Sequence, residues 1–164
     1  MKKTLLPTIA GIMILPGTFA ACQQIDLSAP PPKPTQVIKF VAEEQVIHAG
    51  KRAIVEMRFR VVDGYHVNSH KPLSDLLIPT VLKLDAADGV KTEDALYPAG
   101  TPYVLRFQTE AKLDVYTGMF TLRIPVVASA GMHTVNGTLR YQACDNASCY
   151  PPRYLPVQLL LTAK

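Results

Sequence analysis

The chain has 164 residues, 48% of them apolar and 18% charged, with 14 prolines, three cysteines and no tryptophan. That length and apolar share suit one packed domain with a tail and exclude wholesale disorder, while the prolines argue against a helical bundle. The formal charge of +4 falls to 15 basic against 13 acidic side chains once Lys2 and Lys3 are set aside with a leader. With no Lys/Arg cluster anywhere, this excludes a nucleic-acid surface.

In chain order, residues 1–21 read as an export signal. Lys2 and Lys3 form a basic start, Leu5 to Leu15 an apolar stretch, Pro16-Gly17 a break, and Thr18-Phe19-Ala20-Ala21 the small-residue approach to a cut. The apolar stretch is too short and too interrupted by Pro7 and Pro16 to span a bilayer, and no later stretch is long enough. Phe19-Ala20-Ala21-Cys22 resembles the bacterial lipobox, which implies lipidation of Cys22. By the same resemblance, Gln23 stands where an aspartate would retain a lipoprotein at the inner membrane, so the outer membrane is favoured. Residues 22–36 then form a tether, with Ser28-Ala-Pro-Pro-Pro-Lys-Pro-Thr35 extended and semi-rigid. The folded domain is expected over residues 37–164.

Period-two alternation dominates that domain. From Ala53 to Val62, Val55, Met57, Phe59 and Val61 share one face, and Glu56, Arg58 and Arg60 the other. From Met119 to Val127, Phe120, Leu122, Ile124 and Val126 share a face. Further strands are expected at Val37–Ala42, Tyr65–Asn68, Thr80–Leu84, Tyr103–Phe107, His133–Ala143 and Tyr154–Thr162, separated by turn signals such as Asp63-Gly64, Asp88-Gly89 and Ala130-Gly131. Asn136-Gly137 reads equally as a hairpin turn or as a bulge in one long strand. No helical stripe is present. The pattern predicts an all-β, immunoglobulin-like antiparallel sandwich.

With Cys22 lipidated, Cys144 and Cys149 remain, in Tyr141-Gln-Ala-Cys-Asp-Asn-Ala-Ser-Cys-Tyr-Pro-Pro152. Export to an oxidising compartment predicts a disulfide between them, at the ends of a hairpin. Spacing alone leaves two roles open. The bond closes so short a loop that a domain of this size hardly needs it as a staple, and both thiols stay where a partner thiolate could attack. Local hairpin disulfides are nevertheless often inert. The spacing is not that of thioredoxin, nor a zinc signature, since no second cysteine pair exists.

Tyr-Gln-Ala-Cys-x4-Cys-Tyr-Pro-Pro, together with Asp63-Gly-Tyr-His-Val-Asn68, is similar to segments of the N-terminal periplasmic domain of the thiol:disulfide interchange protein DsbD. The resemblance covers roughly Val37 to Thr162. It implies an immunoglobulin-like fold whose cysteine pair cycles between dithiol and disulfide. It also implies a membrane electron donor and thioredoxin-like envelope proteins as partners, with Cys144 and Cys149 as the reacting residues and Cys149 as the attacking thiol. The gap between the cysteines is shorter than in the best-known members, and His66 and Asn68 replace aromatic residues. The chain carries neither a transmembrane conduit nor a thioredoxin-like domain, so it is expected to borrow its electrons.

Around the site, Asp145 opposes ionisation of Cys144 and Arg153 favours a thiolate. Pro151 and Pro152 leave a rigid, unpaired strand start. Tyr65, His66, Tyr141 and Tyr150 are candidates to shield the disulfide or touch a partner, with Tyr141 and Tyr150, as β residues, reading more readily as packing. Tyr97, in a lid between Tyr97 and Glu110, would cover it in the manner of the family's cap loop. His48, His66, His70 and His133 read as ordinary packing or surface histidines. No phosphate loop, catalytic triad order or carboxylate pair stands out, and no cofactor is expected. The sequence therefore points to a lipid-anchored periplasmic module for thiol–disulfide exchange. The alternative is a non-catalytic immunoglobulin-like adaptor lipoprotein whose disulfide pins a hairpin.

Overall fold

The alternating segments become long strands because each can bury one face and solvate the other. In a computed structural model, residues 34–105 and 108–164 are described, without the side chains of residues 105–111. The leader, Cys22 and nearly all of the tether lie outside the described residues. Residues 34–164 form one compact unit.

Its strands are β1 (Ile38–Val41), β2 (Glu44–Ile47), β3 (Ala53–Val61), β4 (His66–Asn68), β5 (Val81–Leu84), β6 (Val90–Thr92), β7 (Thr101–Leu105), β8 (Gln108–Tyr116), β9 (Met119–Ala128), β10 (Gly131–Tyr141), β11 (Ala143–Cys144) and β12 (Arg153–Ala163). They make three four-stranded sheets, ordered β1-β3-β9-β6, β2-β12-β10-β5 and β11-β4-β8-β7. Pairing is antiparallel except between β12 and β2.

The first two sheets pack face to face as an immunoglobulin-like sandwich. Val55, Met57, Phe59 and Val61 of β3, with Phe120, Leu122, Ile124 and Val126 of β9, share one buried cluster with Val135 and Leu139 of β10 and with Leu155, Val157, Leu159 and Leu161 of β12. Each such side chain contributes about 1.5–3 kcal/mol on burial. Glu56, Arg58 and Arg60 stay exposed, as the alternation predicts. Pro156 lies in the part of β12 that pairs with β10 alone, because β2 reaches only Leu160–Ala163.

Two features depart from the sequence expectation. Asn136-Gly137 is neither a turn nor a bulge. Both residues sit in the unbroken β10–β12 register, opposite Gln158 and Val157. The glycine serves a close approach instead: a Cβ there would lie 2.7 Å from the Lys83 carbonyl oxygen and from Leu84 on β5. Strands β2, β6 and β8 were not expected, and β8 matters most, because it carries the third sheet.

That third sheet positions the site. Asp63-Gly64 turns the chain from β3 into β4, with Gly64 at φ +82°, where only glycine is comfortable. Strand β4 then pairs with β8 on one side and with β11 on the other.

Candidate functional site

Strand β10 ends at Tyr141, and Gln142 breaks the ladder before β11. The break is held by side-chain hydrogen bonds. Gln142 Oε1 accepts from Asn68 Nδ2 (2.9 Å) and from the Ile78 amide (3.0 Å), while its Nε2 donates to the Tyr150 carbonyl (3.2 Å). Asn68, fully buried, also donates to the Ile78 carbonyl (3.1 Å). The glutamine before the first cysteine thus fastens both β4 and the return strand.

Cys144 and Cys149 form a disulfide with their Cα atoms 4.0 Å apart. The four residues between them make a tight loop. Asp145 Oδ1 accepts from the amides of Ala147 and Ser148 (both 2.8 Å), its own amide donates to the Ser148 carbonyl (3.0 Å), and the Tyr150 amide donates to the Ala143 carbonyl (2.8 Å). The Tyr150 hydroxyl donates to Asp145 Oδ2. Asp145 is therefore the organiser of the loop as well as a charge beside the cysteine. Arg153 binds the carbonyls of Pro34 (3.1 Å) and Thr35, and its guanidinium lies 5.9 Å from the Tyr150 ring centre. It fixes the start of the domain against the aromatic that follows Cys149.

The two sulfur-bearing residues differ sharply in access. Cys144 is 0% exposed, whereas Cys149 is exposed. His66 stands directly opposite Cys144 in the β4–β11 ladder. It is 2% exposed, and its Nε2 is buried with no hydrogen-bond partner. Burial pushes the His66 imidazole below its ordinary value, and the negative charge of Asp145 acts in the opposite direction. A cleft of about 290 Å³ runs past this ring, lined among others by Asp63, Tyr65, His66, Tyr103 and Asn146.

Of the aromatic residues singled out from sequence, Tyr65 and Tyr150 do meet beside the loop, with ring centres 6.3 Å apart. Tyr141 is a core residue, 1% exposed. Tyr97 is placed elsewhere. Its ring stacks on His70 at 3.7 Å, and its hydroxyl accepts from the Leu82 amide at 2.8 Å, because the Tyr97–Gly100 segment is tied to β5 and β8. The aromatic over the disulfide loop is Tyr103 on β7. Its hydroxyl donates to Asn146 Oδ1 (2.7 Å), and its ring lies 4.2 Å from that of His66. Tyr103 falls within the segment expected to hold a lid, but nothing in the local sequence distinguishes it from Tyr97.

A family model described as "Thiol:disulfide interchange protein DsbD, N-terminal" matches residues 21–160. The chain belongs to the DsbD N-terminal family. Among solved structures, it is similar to the reduced DsbD N-terminal domain of Neisseria meningitidis, at 25% identity over 68% of this chain and 79% of that one, with a TM-score of 0.44. A structure of the complex between the DsbD and PilB N-terminal domains of the same organism also matches. It shows 25% identity over 82% of this chain and 88% of that one, with a TM-score of 0.46. A search of curated proteins finds no match. Membership of the DsbD N-terminal family ties the chain to thiol:disulfide interchange, and among the described residues Cys144 and Cys149 form a disulfide.

Proposed function

We propose that this protein is a periplasmic thiol:disulfide interchange module in which Cys149 is the partner-facing sulfur and Cys144 the resolving one. The observation that carries the reading is the difference in access: a partner sulfur approaching the disulfide meets Cys149, while Cys144 is wholly covered. In the accepting direction, a thiolate of the reduced membrane electron donor attacks Cys149 Sγ. The Cys144–Cys149 bond breaks, and Cys144 leaves with the electron pair and takes up a proton. The donor's second thiolate then attacks the mixed disulfide and frees Cys149. The donor is oxidised by two electrons and the domain reduced by two. The same steps run backwards pass the electrons to a thioredoxin-like client. No bound cofactor is required.

Substitution of Cys144 by alanine tests this role. A lone Cys149 should accumulate a mixed disulfide with a thioredoxin-like partner on non-reducing gels, and a lone Cys144 should not. The reverse pattern exchanges the two roles. If neither variant traps a partner, and the disulfide has a potential below about −300 mV, as structural disulfides do, the adaptor reading replaces exchange.

The electron source in this reading is a membrane protein, and the module is held near it by acylation of Cys22, with the proline-rich tether as spacer. The lipobox-like Phe19-Ala-Ala-Cys22 supports that anchoring, with the outer membrane favoured by Gln23. Labelled palmitate should enter the wild-type protein and not Cys22→Ser. Equal labelling of both removes the anchor from the proposal.

A further inference from the structure

The exchange reading leaves one step without a protein group. Cys144 must lose a proton before it can attack the mixed disulfide at Cys149, and must regain one when it leaves. Its side chain is 0% exposed, so bulk water does not reach it. Directly paired residues of an antiparallel ladder point to the same face, with Cβ atoms about 4.5–5.5 Å apart. The residue so paired with Cys144 is His66.

We infer that His66 is the proton-transfer partner of Cys144, accepting the thiol proton as that sulfur attacks and returning it as that sulfur leaves. The inference deepens the exchange reading and rests on it. Three further observations support it. The ring is 2% exposed, yet its Nε2 has no hydrogen-bond partner, which is costly unless the atom has work to do. The ring also borders the cleft that it shares with Tyr65 and Asn146, a route by which a proton can leave toward solvent. Finally, Tyr103 packs at 4.2 Å against the imidazole and limits its movement.

The ionisable groups around the ring set its direction of use. Among the described residues these are Asp145 on the loop after β11, Asp63 at the turn before β4, and the phenols of Tyr65 and Tyr103 bordering the cleft. Burial holds the imidazole neutral at rest, which is the accepting form. Asp145 stabilises the imidazolium that forms once the proton arrives.

The Cys144 S–H proton moves to the imidazole. The Cys144 thiolate attacks Cys149 Sγ, the intramolecular disulfide forms, and the bond to the partner sulfur breaks. The partner leaves as a thiolate with the electron pair. In reverse, the imidazolium protonates Cys144 as the Cys144–Cys149 bond opens.

Reduced protein mixed with the chromogenic disulfide dithiobis-nitrobenzoate isolates this step. Cys149 releases the first coloured thiolate, and attack by Cys144 releases the second. In His66→Gln the first release should stay within about twofold of wild type. The second should slow by at least about tenfold near neutral pH and lose the inflection that the imidazole gives its pH profile. Equal second-phase rates across pH, or both phases slowed by one common factor, overturn the inference. A second phase in wild type that ignores His66 defeats only this inference, whereas a wild type that keeps its label defeats the cysteine-pair reading itself. Should His66→Gln not fold, the ring resonances of wild-type His66 decide instead. Their titration midpoint should move between the oxidised and reduced states, and coincident titrations overturn the proposal.

Discussion

Tyr103 on β7 donates its phenolic proton to Asn146, in the middle of the four residues that separate Cys144 from Cys149 (2.7 Å). A residue 43 positions away in the sequence thus latches the β7–β8 hairpin onto the disulfide loop. The bond is exposed at the surface, so its worth is set by competition with water, about 1 kcal/mol. Substituting Tyr103 by phenylalanine should therefore lower the melting temperature by only a few degrees. Reduction of the disulfide by a small dithiol should accelerate, by up to roughly fivefold if opening the latch limits access. Stopped-flow reduction of both proteins checks this; an unchanged rate means that the latch does not gate the sulfur.

A second expectation concerns Gln142. Its side chain satisfies the Ile78 amide and the buried Asn68 amide nitrogen together. In Gln142→Leu the Ile78 N–H would be left without that acceptor beneath β4. Leaving a buried donor unpaired costs about 1–3 kcal/mol. Urea unfolding should show a loss of that size, far larger than for an exposed glutamine such as Gln158 exchanged in the same way.

The disulfide itself should matter little to folding. It closes a loop of six residues, worth about 2 kcal/mol on a chain-entropy basis, against a domain stability of roughly 5–15 kcal/mol. Thermal melts of the Cys144→Ala/Cys149→Ala protein should show a cooperative transition with a modestly lower midpoint. A chain that fails to fold would identify the bond as structural.

His66 gives stability a defined pH dependence. Its folded value lies below the ordinary value of about 6.5 because burial opposes the charge. The unfolded chain therefore binds more protons than the folded one between the two values. The stability tied to the neutral ring is fully present above about pH 6.5 and is lost as the pH falls through the lowered folded value. Urea midpoints followed from about pH 8 to about pH 5 should decline more steeply for wild type than for His66→Gln.

What could be read in advance follows from where the information lies along the chain. Strands β3 and β12 were legible because their buried residues alternate without interruption, Leu155, Val157, Leu159 and Leu161 being one such row, and β9 because its alternation is broken only by buried Pro125. Strand β8 was not, because its first half is Gln-Thr-Glu-Ala-Lys and, among its described side chains, the buried aliphatic ones are Leu113 and Val115. Asn136-Gly137 misled because its local turn chemistry is overridden by pairing with β12 on one side and with β5, which lies close beside the glycine, on the other. The cysteines and His66 stood out as residue types in a short frame. Tyr103, Asn68 and Gln142 did not, because their roles are hydrogen bonds across long sequence separations, 43 residues for Tyr103–Asn146 and 74 for Asn68–Gln142.

Strand β12 begins at Arg153, just past the disulfide loop, and runs as a continuous strand to Ala163, where Lys164 exchanges backbone hydrogen bonds with Ile47 and Ala49. At about 3.3 Å per residue, its eleven residues hold those two points roughly 33 Å apart. The strand works as a ruler that keeps the disulfide loop at one pole and Lys164 at the other. A fluorophore, affinity handle or fused domain joined after Lys164 would thus hang well clear of Cys149. Labelled protein would report partner capture without standing in the partner's way.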